Sequence, residues 1–269
     1  MRIGTNVAAI VANNALQKSQ NNLSTSIERL SSGYKINGSK DDAAGCAISE
    51  KMRRQIRGLT QASSNAQDGI SCVQTAEGAL AEVHDMLQRM TELAVKAANG
   101  TQTSADRGYI NQEVQALVSE IDRVASTTTF NEQNLLDGSF KKVGLQVGAE
   151  SKQLITLDIA AMSAKGLNLV KGAAGTAGNI SVGGTDGKNA QAAIKTIKDA
   201  LAQVSKQRAD LGAVQNRLEH TIKNLDNVVE NTTSAESSIR DTDMATEMVK
   251  YSNNNILAQA GQSMLAQAN

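Results

Sequence analysis

Val73–Ala97 reads VQTAEGALAEVHDMLQRMTELAVKA. Its apolar residues fall at Val73, Ala76, Leu80, Val83, Leu87, Met90, Ala94 and Ala97, stepping alternately by three and four. That spacing is the seam of a helix packed lengthwise against other helices. A strand would alternate every second residue, and this segment does not. The same steps recur at Leu23, Ile27, Leu30 and Tyr34, and at Ile110, Val114, Leu117, Ile121 and Val124. They return late in the chain at Leu211, Val214, Leu218, Thr221, Leu225, Val228, Thr232, Ala235 and Ile239. The spacing predicts a mainly α chain, a long antiparallel helical bundle or coiled coil formed by both chain ends.

Boundary residues place the helices. Ser39 and Asp42 stand three apart before a helical stretch, as in a capping box. Asn99–Gly100 supplies a stop, and Ser104 or Asp106 can cap the next helix. The expected helices run from about 6 to 30, 42 to 98, 105 to 126, and from about 190 almost to 269. A helix of about 55 residues extends roughly 80 Å and cannot bury its own seam. Between the helical parts, Val143, Leu145 and Val147 alternate with other residues, as do Ile155, Leu157 and Ile159, with Gly148-Ala149-Glu150-Ser151 between the two runs. This is a β-hairpin pattern over about 142–160. The stretch 172–188 is rich in Gly, Ala, Thr and Asn and reads as a loop or tip. The expected domains are a terminal one from 1–41 and 240–269, and a bundle from 42–239.

Composition narrows the function. The chain has 269 residues, no Pro, no Trp and 2% aromatics, a poor supply for a bulky core with a pocket. Lys+Arg and Asp+Glu are 27 each, so a nucleic-acid partner, which calls for a basic surface, is not expected. Near-zero net charge permits like chains to associate. Cys46 and Cys72, if on one helix, are separated by roughly 39 Å, beyond disulfide reach. The two Cys and two His show no metal spacing, and no cofactor is implied. His84 and His220 are isolated. No His-Glu-x-x-His motif occurs, and 172–188 is too short to hold an enzyme domain. The first residues lack a signal-peptide cleavage pattern, and no stretch is long enough to span a membrane.

The ends differ from the rest. Residues 1–20 and 251–269 carry many Asn, Gln, Ser and Ala around a sparse apolar set. That set is Ile3, Val7, Ile10 and Val11 at one end, and Ile256, Leu257, Met264 and Leu265 at the other. Local burial of so few groups does not offset chain entropy, so helix is expected where neighbours cover them. With Leu23, Ile27 and Leu30 of the first seam, Ile3, Val7, Ile10, Val11, Ile256, Leu257 and Leu265 are the candidate self-assembly residues.

Several stretches resemble one family. Thr25-Ser26-Ile27-Glu28-Arg29-Leu30-Ser31-Ser32-Gly33-Tyr34-Lys35-Ile36-Asn37 is similar to the N-terminal signature of bacterial flagellins. So are Lys40-Asp41-Asp42-Ala43-Ala44-Gly45, Gly58-Leu59-Thr60-Gln61-Ala62-Ser63 and Asp68-Gly69-Ile70-Ser71. Arg208-Ala209-Asp210-Leu211-Gly212-Ala213-Val214-Gln215-Asn216-Arg217-Leu218, Asp241-Thr242-Asp243-Met244-Ala245-Thr246-Glu247 and Gln262-Ser263-Met264-Leu265-Ala266-Gln267-Ala268-Asn269 resemble the C-terminal signature. The resemblance implies a minimal flagellin with an inner helical domain, an outer bundle and a hairpin, and without the large surface domains of many relatives. It implies a secreted, extracellular filament subunit for motility, exported through the type III apparatus. The implied partners are other copies of itself, the flagellar cap, hook-junction proteins and an export chaperone. It also implies a short Leu-rich tail beyond the Gln267-Ala268-Asn269 motif. The competing expectation is a hook-junction-type or non-polymerising binding protein with the same helical ends.

Gln88-Arg89-Met90-Thr91-Glu92-Leu93-Ala94-Val95 resembles the segment by which many flagellins bind Toll-like receptor 5, and Glu113 matches a further contact. The candidate receptor residues are therefore Gln88, Arg89, Glu92, Leu93 and Glu113. Arg89 and Leu93 are four apart and share a helix face, and an exposed Leu beside an Arg is a common hot-spot composition. The competing use of that face is packing against neighbouring subunits. Lys51, Arg53, Arg54 and Arg57 read as a solvated or intersubunit face, and Met244 and Met248 as packing residues.

Overall fold

The Val73–Ala97 seam lies inside one long helix of the computed structural model, which describes residues 7–170, 180–184 and 187–268. The helices are α1 (Val7–Ser32), α2 (Ala43–Ala98), α3 (Ser104–Thr127), α4 (Lys188–Arg240) and α5 (Met244–Ala268). Two small antiparallel pairs interrupt them: β1 (Thr129–Phe130) with β2 (Gln133–Asn134), and β3 (Val143–Gln146) with β4 (Leu154–Leu157). The expected hairpin is β3–β4, in register Val143↔Leu157 and Leu145↔Ile155. Ile155 and Leu157 point into the core, as their alternation requires. The pair β1–β2 was not anticipated. Its turn uses Asn131 and Glu132 at φ +48° and +64°.

Helix ends follow local chemistry. Gly33, at φ +77°, donates its N–H to the Arg29 carbonyl at 2.8 Å and closes α1. At the start of α2, Asp42 accepts from the Ala44 and Gly45 amides, each at 3.0 Å. Gly45 is needed there, since a Cβ would stand 2.7 Å from Ile36 Cδ1. The expected Ser39–Asp42 box is therefore Asp42 capping by itself. The reciprocal box belongs to α3, where the cap is Thr103 with Asp106, one residue before the expected Ser104. The expected unbroken helix after Ala190 is two helices. Asp243 ends the gap by accepting from the Ala245 and Thr246 amides, opening α5.

The chain divides into two compact units, Gly58–Asp226 and Met1–Arg57 with Asn227–Asn269. In the first, Val73, Ala76, Leu80, Val83, Leu87, Met90, Ala94 and Ala97 are all buried. They cluster with Ile110, Val114 and Ile121 of α3, Ile197, Val204 and Leu211 of α4, and Leu157, Ile159, Leu167 and Leu169 of the segment between. Most of the expected tip, 172–179 and 185–186, lies outside the described residues. Of its described part, Ile180 and Val182 are buried. Cys46 and Cys72 are both on α2 and free. Burial pushes the Cys72 thiol pKa up. Among the described residues no helix is long and apolar enough to cross a membrane.

Candidate functional site

In the terminal unit α1 packs against α5. The pair is antiparallel. Ser26 meets Glu247, whereas Leu16, earlier on α1, meets Gly261, later on α5. The neighbour that covers each terminus is thus the other terminus. The half-buried side of α1 carries Leu16, Ser19, Leu23 and Leu30 around buried Ser26. Opposite lie Tyr251, Asn254, Gly261 and Leu265, half-buried, with Glu247 and Ala258 buried.

The inside mixes these Leu and Tyr side chains with Ser, Asn, Gly and the buried Glu247, and a second set of large apolar residues looks out. Val7 is 69% exposed, Val11 62% and Ile256 61%, and Ile10, Leu257, Val249 and Met264 are exposed with them. Met244 and Met248, expected to pack, are exposed too. Of the candidate assembly residues, Ile3 lies outside the described residues, and Val7, Ile10, Val11, Ile27, Ile256 and Leu257 are exposed. Leu23, Leu30 and Leu265 are half-buried. Ile27 was expected in the seam of α1, but Ser26 takes the inward place and turns Ile27 outward. Val7, Val11, Leu257 and Met264 come together as the walls of one open apolar groove, with Ala15 and Ala260 between them. Ile10 and Leu265 line a second hollow.

The buried Glu247 is the feature that the apolar pattern did not reveal. Its carboxylate accepts from Ser26 Oγ at 2.8 Å and from Lys250 Nζ at 3.1 Å, and Arg29 Nη1 stands 4.0 Å away. Burial pushes its pKa up, but the Ser26 hydroxyl, Lys250 and Arg29 outweigh it and leave the value below the ordinary glutamate range. Ser26 and Arg29 belong to the N-terminal signature and Glu247 to the C-terminal one. Their position inside two motifs was the available signal. Nearby, Lys35 N–H donates to the Arg240 carbonyl at 2.6 Å and Thr242 N–H to the Gly33 carbonyl at 2.9 Å. The Arg240 guanidinium lies 4.6 Å from the Tyr34 ring centre and binds Glu50 at 3.1 Å.

The second candidate is on α2 and α3, within Gly58–Asp226. Arg89 donates through Nε and Nη2 to Glu113 Oε1, at 3.0 and 2.9 Å, and through Nη1 to Glu92 Oε2 at 3.0 Å. Glu113 first, then Glu92, pushes the already high Arg89 pKa further up. Gln88 is exposed, with its amide nitrogen 2.9 Å from His84 Nε2. Leu93 is a correction: it is 3% exposed and joins the core with Met90 and Ala94. The core cluster joins α2 to residues of α3, α4 and the segment between, so its buried face is broader than a two-helix seam. Arg89, Glu92, Leu93 and Glu113 nevertheless meet around one shallow pocket, whose lining also includes Lys96, Ile110 and the exposed Tyr109.

Comparison with known proteins adds identity to this geometry. Residues 3–141 match the model of the bacterial flagellin N-terminal helical region, and 194–269 that of the C-terminal helical region. A flagellin of Halalkalibacterium halodurans is 52% identical over 269 residues, covering 100% of this chain and 96% of the relative. A flagellin of Bacillus subtilis is 48% identical over 293 residues, with the same coverage of 100% and 96%. Among solved structures, Bacillus cereus flagellin is similar with a TM-score of 0.51 and 29% identity, over 60% of this chain and 88% of that one.

Proposed function

The chain belongs to the bacterial flagellin family, structural and non-enzymatic subunits of the extracellular flagellar filament, and we propose that its α1·α5 pair is the surface by which copies polymerise. The observation that carries this is the outward placement of Val7, Ile10, Val11, Ile256, Leu257 and Met264, which the contact between the two helices leaves uncovered. Magnitudes support it. Covering six such side chains contributes on the order of 10 kcal/mol. Fixing one subunit against its neighbours costs about 4–15 kcal/mol. The two are close enough that each apolar side chain matters to assembly. In this reading 1–41 and 240–269 form the filament core and 42–239 the bundle. By family, the flagellar cap, hook-junction proteins, export chaperone and type III export apparatus are further partners.

A second role rests on the Arg89 face. Arg89, Glu92 and Glu113 present a preformed ion-paired patch above Leu93, and the matching segment supports recognition of the subunit by Toll-like receptor 5.

Seeded growth tests the assembly reading. Purified protein added to filament fragments is expected to lengthen them under electron microscopy. Val11→Asp/Leu257→Asp is expected to abolish growth with its thermal unfolding unchanged. Growth of that variant at the parent's rate would overturn the reading.

A further inference from the structure

Asn-Gly occurs twice in the chain, at Asn37-Gly38 and at Asn99-Gly100. Gly puts no side chain beside its nitrogen, so that nitrogen can reach the side-chain amide of the preceding Asn. The fold treats the two pairs oppositely. Gly38 N–H donates to the Asp41 carboxylate at 3.2 Å, and the Asn37 side-chain amide donates to the Tyr34 carbonyl at 3.5 Å. An anion at Gly38 keeps the proton on its nitrogen, and the Asn37 amide is held back by Tyr34. Asn99 and Gly100 are both exposed, in the turn between α2 and α3. Gly100 N–H has no acceptor among the described residues. The Asn99 main-chain carbonyl, in the same peptide group, accepts from Gln102 N–H and from Arg107 Nη2, each at 3.2 Å. Arg107 is 3% exposed, and its Nε donates to the Ala97 carbonyl at 2.9 Å. When the Gly100 nitrogen loses its proton, negative charge spreads onto the Asn99 carbonyl oxygen. A buried cation already aimed at that oxygen stabilises the charge as it develops. Thr101 N–H donates to Asn99 Oδ1 at 3.4 Å and polarises the side-chain carbonyl that is attacked.

We propose that Asn99 is a self-modification site of the folded subunit, activated by Arg107 and converted to isoaspartate, while Asp41 protects Asn37. The deprotonated Gly100 nitrogen attacks Asn99 Cγ. The N–Cγ bond forms, the Cγ–Nδ2 bond breaks, and the side-chain nitrogen leaves as ammonia with the proton that Gly100 lost. Water then opens the cyclic imide. Attack at the carbonyl held by Arg107 and Gln102 breaks its bond to the Gly100 nitrogen and leaves the chain linked through Cγ. The freed α-carboxylate stands where the Asn99 carbonyl stood, beside the Arg107 guanidinium. Each event adds one negative charge to a chain whose formal net charge is zero. Neither step needs a filament.

Peptide mass mapping of the full folded chain, kept at mildly alkaline pH in oxygen-labelled water, tests it. The Asn99 peptide is expected to take up label on the order of tenfold faster than the Asn37 peptide. In urea the two rates are expected to converge, because neither Arg107 nor Asp41 is then in place. Gly100→Ala adds a Cβ that meets nothing within 4 Å, and it is expected to stop uptake at Asn99. Arg107→Gln is expected to slow uptake there on the order of tenfold, whereas a turn that was merely loosened would react faster. Asp41→Asn, at an exposed position, is expected to speed Asn37 severalfold. A readout that needs no variant is the ratio of isoaspartate to aspartate at position 99, expected to be higher in the folded chain than in urea. Equal rates at Asn37 and Asn99 in the folded parent would overturn the proposal, and so would the same preference for Asn99 in urea. Folded Arg107→Gln reacting at or above the parent's rate, or a product ratio unchanged by urea, would overturn the part given to Arg107.

Discussion

In Gly58–Asp226, Leu80, Leu87, Met90, Ile121 and Leu211 are almost wholly buried, and the described charges lie mostly outside. In the terminal unit the described buried apolar residues are Ile36 and Ala258, beside buried Ser26, Ser49 and Glu247. Val7, Val11, Ile256 and Leu257 stand in solvent. The same apolar residue types serve two ends. In one unit they close a core within the chain. In the other they stay exposed on the subunit, as the surface proposed above for polymerisation. A subunit built this way can be stable as a monomer and still gain from polymerising.

Truncation separates the two uses most sharply. Leu87→Ala is expected to cost about 2–5 kcal/mol in urea unfolding of the isolated subunit. Leu257→Ala is expected to stay within about 0.5 kcal/mol in the same measurement. In seeded growth, Leu257→Ala is expected to raise the critical concentration on the order of 30-fold, as about 2 kcal/mol of lost burial implies. Equal loss of monomer stability in the two variants would erase the contrast.

A smaller effect follows from Glu247. Its pKa in the folded chain lies below the unfolded value, so ionised Glu247 stabilises the pair. That contribution is complete above the ordinary glutamate value and fades as pH falls through the folded one. The charged groups facing it are Arg29 from α1 and Lys250 from α5, with the Ser26 hydroxyl between them. Methyl resonances of Leu23 and Leu30, followed by NMR, are expected to shift below pH 4.5 in the parent. They are expected to stay flat over that range in Glu247→Gln. Parallel titrations in both would remove Glu247 as the cause. Asp243, likewise held below its usual range by Thr246, sits at the start of α5, so Asp243→Asn is the second control.

How far the sequence could be read tracks the same contrast. The period of Val73–Ala97 located α2 and its core, because there the apolar face is the inward face. In α1 that assumption holds for Leu23 and Leu30 and fails for Ile27. The apolar pattern chose Ile27 for the seam, whereas Ser26 faces in to reach Glu247, 221 residues away. Leu93 failed for another reason. A seam drawn for one partner leaves it outside, while α2 shares its core with α3 and α4. The break at 241–243 carried a legible signal in Asp243 before α5, but no Gly or Pro drew attention to it. The β1–β2 turn had Asn131 as its cue, and Glu132 at positive φ gave none. The candidate receptor residues were named by resemblance alone. Their mutual pairing was not legible, since Arg89 and Glu113 meet across two helices.

That pairing sets the smallest expected change in stability. Arg89 and its partners Glu92 and Glu113 are solvent-exposed, where screening and side-chain entropy cancel most of an ion pair's attraction. Arg89→Ala should therefore leave the melting temperature within about 2 °C of the parent. It should also release Glu113 and Glu92, turning a neutralised patch into an acidic one. A receptor surface matched to the paired patch would meet unpaired carboxylates, so binding of the monomer in a pull-down is expected to fall. Arg89→Ala/Glu113→Gln separates the two causes. If binding returns when the freed charge is removed, the arginine acts by neutralising Glu113. If it stays low, the guanidinium is itself the contact. Undiminished pull-down by Arg89→Ala would remove this face from recognition, and a large fall in melting temperature would return it to the core side of the comparison.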